Sequence, residues 1–290
     1  MQKRIILLFL FIIFLGALVY GQINSGTTNN WKGRNIEVDF KTELPAATQL
    51  SPTPTPTPKP LTFSEMNQLY GPCVYLPVLM YHYVQDIKTA QKNAQTGQTV
   101  QTKNFREQLE YLKNKGYNSL QFSDLISFFE NGTTLPSKSF LLTFDDGYED
   151  FYINALPILK EFGYKASVFL STGLVNNPGY LSWQQISDSQ GSGIYYANHT
   201  WSHKNVLAKP DLVEKEITLA DAQLTEHGLN QSKVFAYPYG SSNNFSEELL
   251  MKIGYHLAFT TRYGSVLCIK QRYQLPRIRV GNASLATYGL

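Results

Sequence analysis

Charge is scarce in this chain. Only 16% of its 290 residues are charged, and the formal net charge of +3 drops to +1 when Lys3 and Arg4 of the N-terminal segment are set aside. So weak a balance gives no electrostatic grip on a phosphate backbone, which excludes nucleic acid as a partner. Cysteine is scarcer still. Cys73 and Cys268 are the two in the chain, and they form no C-x-x-C pair, so a zinc ribbon or a thioredoxin-like dithiol is excluded. Sequence alone leaves them open to pair in an oxidising compartment or to stay free. Any metal therefore has to be held by carboxylates and by the five histidines. Hydrophobic residues make up 43% of the chain, enough to bury a full core, and one catalytic-sized domain with appendages is expected.

The appendage lies at the N-terminus. Lys3 and Arg4 precede an apolar run from Ile5 to Tyr20, 16 residues long, between a signal-peptide core and the roughly 20 residues that span a bilayer. No clean A-x-A cleavage site or lipobox cysteine follows. Residues 1–21 are read as an uncleaved membrane anchor in preference to a cleaved signal, with the positive flank held in the cytoplasm and the rest exported. Residues 22–72 read as a disordered Thr/Pro-rich linker that culminates in the alternating prolines of Ser51 to Pro60. Such a repeat favours an extended polyproline II spacer.

From Cys73 to residue 290, short apolar β-type runs alternate with helical patterns, the rhythm of parallel strands joined by crossover helices. The strands expected are Leu76–Tyr81, Ser139–Phe144, Lys165–Leu170, Gly193–Ala197, Lys233–Tyr237, His256–Thr260 and Leu275–Val280. Asn104 with Glu107 is expected to cap one helix, whose Phe105, Leu109 and Leu112 share a face, and Asp211 with Glu214 to open another, striped by Val213, Ile217, Ala220 and Leu224. Ser246 to Gly254 reads as a third. A distorted (β/α) barrel is the expected α/β architecture, with an open doubly wound sheet as the alternative. Both put chemistry at strand C-termini. His82, Asp145 and Asp146, His199, and Pro238-Tyr239 each follow one of the runs.

Two adjacent acids, Asp145 and Asp146, stand where an apolar strand ends. In His199-Thr200-Trp201-Ser202-His203 two imidazoles are spaced at i and i+4, one helical turn apart, so that both face a common ion. Two histidines and one carboxylate leave further positions for water and substrate, as a catalytic divalent site requires. A second carboxylate beside them is a candidate base, and adjacent residues on an extended backbone point different ways.

These residues resemble the polysaccharide deacetylases of the NodB-homology type, carbohydrate esterase family 4. Thr143-Phe144-Asp145-Asp146-Gly147 is similar to the first family motif, His199 to His203 to the second, and Phe235-Ala236-Tyr237-Pro238-Tyr239-Gly240 to the third; Leu181-Ser182-Trp183 resembles an upstream segment of one branch. Pro77-Val78-Leu79-Met80-Tyr81-His82 further resembles the branch that deacetylates poly-N-acetylglucosamine exopolysaccharide. The likeness runs from about Val74 to Gly281.

The resemblance implies Asp145 as general base and Asp146, His199 and His203 as ligands of a divalent ion, zinc first and cobalt, nickel or manganese also suited. It implies an oxyanion donor at the Tyr239 backbone N–H, with Pro238 and Tyr239 against substrate and Trp183 as a site wall. The chain departs from the pattern twice. Ala236 stands where many members place an Arg, for which Arg277, ahead of Arg279, is the expected substitute. No histidine follows His256, so the acid is assigned to His82, as in the exopolysaccharide branch; His227 and His256 are read as structural. The expected activity is N-deacetylation of an acetylated extracellular polysaccharide by an extracytoplasmic monomer. An O-acetyl esterase acting on xylan-like chains and a non-catalytic glycan- or wall-binding protein are the alternatives.

Overall fold

The computed structural model describes residues 59–290. The anchor at residues 1–21 and the linker up to residue 58 lie outside the described residues. Among those described, no helix is long and apolar enough to cross a membrane.

All seven expected strands form, Ser139–Phe144 with its expected bounds and the other six trimmed or extended by one to three residues at their ends. They are β1 (Val78–Tyr81), β2 (Ser139–Phe144), β3 (Ala166–Leu170), β4 (Ile194–Asn198), β5 (Val234–Ala236), β6 (Leu257–Tyr263) and β7 (Leu275–Arg279). Each pairs in parallel with the next, and β7 and β2 both pair with β1, so the sheet closes on itself as a seven-stranded (β/α) barrel. The closed alternative is the one realised, because Val78 to Tyr81 pair residue for residue with Leu141 to Phe144.

Parity within the strands separates two kinds of core. Val78, Leu141, Phe169, Ala197, Val234, Ala236, Leu257, Phe259 and Leu275 share one cluster inside the barrel. Their neighbours Leu79, Leu142, Val168 and Leu170 belong to a second cluster, and Phe235 and Ala258 to a third, where the sheet meets its helices. Both faces are thus apolar, which is why these strands read as continuous hydrophobic runs. Continuing the inward parity beyond the strand ends gives His82, Asp145 and His199, all at the C-terminal mouth.

Two helix starts differ from expectation. The first helix is Thr102–Asn114, with Gln101 at its N-cap, so Asn104 lies inside it and donates its amide to the Asn282 carbonyl. The second is Pro210–Glu226, opened by a proline at its first position, where a missing N–H costs nothing, and not capped by Asp211. Their apolar stripes are buried as expected. Within the stretch read as linker, Phe63–Tyr70 is helical, closed by a reciprocal capping box between Thr62 and Glu65 that the proline-rich context masked. Cys73 and Cys268 face each other across a short antiparallel ribbon and are joined by a disulfide.

Candidate active site

The acidic doublet splits its two carboxylates by a sharp backbone turn. Asp145 leaves β2 with its N–H bonded to the Tyr81 carbonyl at 3.0 Å, whereas Asp146 and Gly147 both take left-handed conformations, φ 73° and 76°. The expectation of an extended backbone through the doublet is therefore corrected: the reversal at Asp146 separates the carboxylates. Glycine is needed at 147, where a Cβ would come within 2.7 Å of Leu170 Cδ2.

Asp145 is clamped by Arg277, whose Nη1 and Nη2 donate to the two carboxylate oxygens at 2.7 Å each. The guanidinium has 0% exposure; its Nε donates to the Thr260 carbonyl at 3.0 Å and its Nη1 also approaches Thr143 Oγ1. Burial pushes the Asp145 carboxyl up, and the Arg277 charge and hydrogen bonds outweigh it, leaving the group below the usual carboxylate range. Of the two arginines in β7, it is thus Arg277 that meets the acid, while Arg279 is exposed.

Asp146 turns to the histidine pair. Its Oδ1 lies 3.2 Å from His199 Nε2 and 3.0 Å from His203 Nε2, and one donor atom from each of the three residues falls within 4.8 Å of the others. His199 Nδ1 sits 2.8 Å from the Ala236 carbonyl, which accepts only, so Nδ1 carries a hydrogen and Nε2 is the ring atom turned to Asp146. Asp146 Oδ1 is buried with no hydrogen-bond donor. Two imidazole nitrogens and one buried carboxylate oxygen at this spacing suit a divalent ion. The donor set fits the metal that the resemblance implies.

The His199 to His203 segment is a loop and not a turn of helix. Thr200 and His203 adopt positive φ, 66° and 59°, and the reversal folds His203 back until the rings lie 5.1 Å apart. The loop is held from three sides. Thr200 N–H donates to Asn198 Oδ1, Gly173 N–H donates to the Trp201 carbonyl, and Ser202 gives its N–H and its hydroxyl to the two oxygens of Glu216, both at 2.7 Å. Sequence reasoning missed Glu216. Its signal was there: a single acid on the buried stripe that Val213, Ile217, Ala220 and Leu224 define.

The remaining residues fall around this centre unevenly. His82 is buried, within electrostatic reach of Asp145 and Asp146, and burial pulls its pKa down more strongly than the acids raise it. Tyr239 has φ 63° and its ring, 66% exposed, meets His203 at 4.8 Å; Pro238 beside it is buried. Trp183 is stacked on His227 at 3.8 Å and packed against the helix-facing core. An exposed tryptophan beside the histidines is Trp201, held so tightly over Gly173 that a Cβ there would meet its ring at 2.6 Å.

With this geometry in hand, comparison with known proteins identifies the class. Residues 132–258 match the family model described as polysaccharide deacetylase. The deacetylase PplD of Streptococcus pyogenes, solved with acetate, superposes with a TM-score of 0.68 at 28% identity, covering 74% of this chain and 98% of that one. The poly-β-1,6-N-acetyl-D-glucosamine N-deacetylase of Staphylococcus epidermidis is 27% identical over 204 residues, 65% of this chain and 70% of that protein. The Escherichia coli (strain K12) protein of the same name is 26% identical over 248 residues, and the match takes in 70% of this chain but only 36% of that longer relative. Residues 132–258 thus match the polysaccharide deacetylase family, whose members are hydrolases acting on N-acetyl groups.

Proposed function

We propose that the protein hydrolyses the acetamide of N-acetylglucosamine units in an extracellular polymer of the poly-β-1,6-N-acetylglucosamine type, using a divalent cation held by Asp146, His199 and His203. The observation that carries this reading is the convergence of those three donors beside a carboxylate already locked by Arg277. The substrate class follows the names of the two N-deacetylase relatives. Asp146, His199 and His203 would hold the ion, zinc being the first choice, which would supply Lewis acidity at the reacting centre.

The chain's own groups do the rest. Asp145, kept ionised and fixed in orientation by the guanidinium, takes a proton from the attacking water. His82 donates to the departing amine from its imidazolium form, which burial makes a stronger acid but a smaller share of the residue at neutral pH. The Tyr239 backbone N–H is assigned to the oxyanion, a contact worth about 10²–10³ in rate where such donors have been removed. In keeping with the N-terminal apolar run, the catalytic barrel is proposed to work outside the cytoplasm, tethered or released, as a monomer.

The test is acetate release by the full chain, with each divalent metal, from β-1,6- and β-1,4-linked N-acetylglucosamine oligomers, peptidoglycan and acetylated xylan. Release from the β-1,6 oligomers, abolished in Asp145→Asn and restored to no variant by excess metal, is the expected result. Release from xylan esters alone would replace the proposal with an esterase.

A further inference from the structure

A second concavity opens beside the catalytic doublet. It encloses about 320 Å³, near the lower limit of small-molecule pockets and so of a size for one sugar ring, not an oligomer. One wall is a run of tyrosines. Tyr83 and Tyr148 stack at 3.9 Å with 19° between their planes, and Tyr180 continues the stack from Tyr148 at 5.2 Å. Tyr148 lies two residues beyond Asp146 and Tyr83 directly follows His82, which places this wall alongside the metal-binding group.

The rest of the lining is acidic or neutral: Glu149 and Asp150 are its carboxyls, Gln85 and Gln95 are among its amides, and among the described residues no Lys, Arg or His takes part. Asp150 is under-satisfied. One oxygen accepts the Val84 N–H, whereas the other is buried with no donor, and burial pushes the carboxyl up to about 7. The tyrosine rings give the cavity an aromatic wall suited to a pyranose, and Glu149 beside Asp150, with no counter-cation in the lining, suits an ammonium, whose charge would draw Asp150 to its ionised form.

We propose that this cavity is a subsite for the sugar adjoining the one being hydrolysed, and that it selects a unit whose amine is already free. The inference rests on the deacetylase reading and deepens it. An N-acetyl group at this position brings no charge for Glu149 and Asp150, so reaction is favoured beside a unit already hydrolysed. Free amines then accumulate in runs along the polymer.

The test separates binding from turnover. Calorimetric titration of the full, metal-loaded chain with the β-1,6 glucosamine trisaccharide and with its fully N-acetylated counterpart should show at least tenfold tighter binding of the free-amine sugar. Asp150→Asn, which keeps an acceptor for the Val84 N–H, and Glu149→Gln should each reduce that preference, the pair together erasing it, with circular dichroism unchanged. Mass spectrometry of products from the native chain should show contiguous free amines, and products of the double variant a random pattern. Equal affinity for the two sugars, or an unchanged preference in the double variant, overturns the subsite. Absence of acetate release with the binding preference intact would instead overturn the deacetylase reading and leave the subsite standing.

Discussion

Replacing Arg277 by Met removes a buried positive charge and leaves Asp145 where it was. In the native chain the carboxylate receives two charge-assisted bonds of 2.7 Å from a guanidinium that is itself wholly enclosed, and among the described residues no lysine or second arginine donates to it. Deleting one member of such a pair strands the other, at a cost of about 3–5 kcal/mol. The sign of the pH dependence follows from which influence remains. With Arg277 present the folded-state pKa of Asp145 is below its unfolded value, so its contribution is present above about pH 4 and is lost as pH falls through the folded pKa. Without Arg277 the desolvation that already opposes ionisation faces much less resistance, the folded pKa rises, and each step in pH above about 4 now favours the unfolded chain. The difference in unfolding free energy between native and Arg277→Met proteins should therefore widen from pH 4 to pH 7, read by urea denaturation. The acid limb of kcat/KM for acetate release should move to higher pH, with a loss at neutral pH of about 10²–10⁴, the range for a positioned base. Arg277→Lys should restore part of the stability but not the two-pronged orientation. A pH-independent difference of less than about 1 kcal/mol, or an acid limb that does not move, would refute the reasoning.

Other perturbations probe the frame around the site. Glu216→Gln keeps one acceptor for Ser202 but loses the second, and should weaken divalent-metal affinity by about 10–100-fold with the far-UV spectrum preserved, as measured by chelator competition. Gly147→Ala forces a Cβ to within 2.7 Å of Leu170 at φ 76°, and should lower stability by about 1–3 kcal/mol while also weakening metal binding through the displaced Asp146, checked by thermal unfolding with and without metal. Replacing both Cys73 and Cys268 by Ser opens a closure between residues 195 apart in sequence and should cost about 2–5 kcal/mol in denaturation midpoint analysis, with acetate release at 25 °C largely kept.

The barrel was legible in the sequence because its strands are covered on both faces. Ser139–Phe144 is buried at every position, so it appears as an uninterrupted apolar run with a polar break where it ends, and that break is where Asp145 stands. Helix interiors were legible for the same reason, since Val213, Ile217, Ala220 and Leu224 carry the burial. Helix starts were less so. Asn104 and Asp211 have the chemistry of caps, but nothing local says that tertiary packing begins the helix two residues earlier at Thr102 or that Pro210 takes the first position.

The site was legible in composition and less so in mechanism of assembly. The i, i+4 spacing of His199 and His203 suggested one helical face, yet they converge through two left-handed residues whose strain is held by Asn198, Gly173 and Glu216, and those supports come from β4, the loop after β3 and a distant helix. Trp183, which a sequence pattern places near the substrate, has one face stacked on His227, and Trp201 stands exposed beside the histidines, a neighbour that no sequence pattern singled out.

Arg277 and Arg279 mark the boundary between the two kinds of information. They are two residues apart in one strand, so parity gives them the same face, and charge and side-chain length are identical. What distinguishes them is position along the barrel axis. Arg279 pairs with Met80, which pairs in turn with Thr143 near the mouth, while Arg277 lies two residues deeper, bonded to Thr260 and walled by the Phe169 ring. At the deeper position the guanidinium is stripped of water and can hold a buried carboxylate; at the mouth the same group remains exposed. Register is a property of paired strands, and a single strand's sequence does not contain it. The order of preference between these two arginines therefore follows from closure of β7 onto β1, and the charge that keeps Asp145 ionised depends on the barrel being shut.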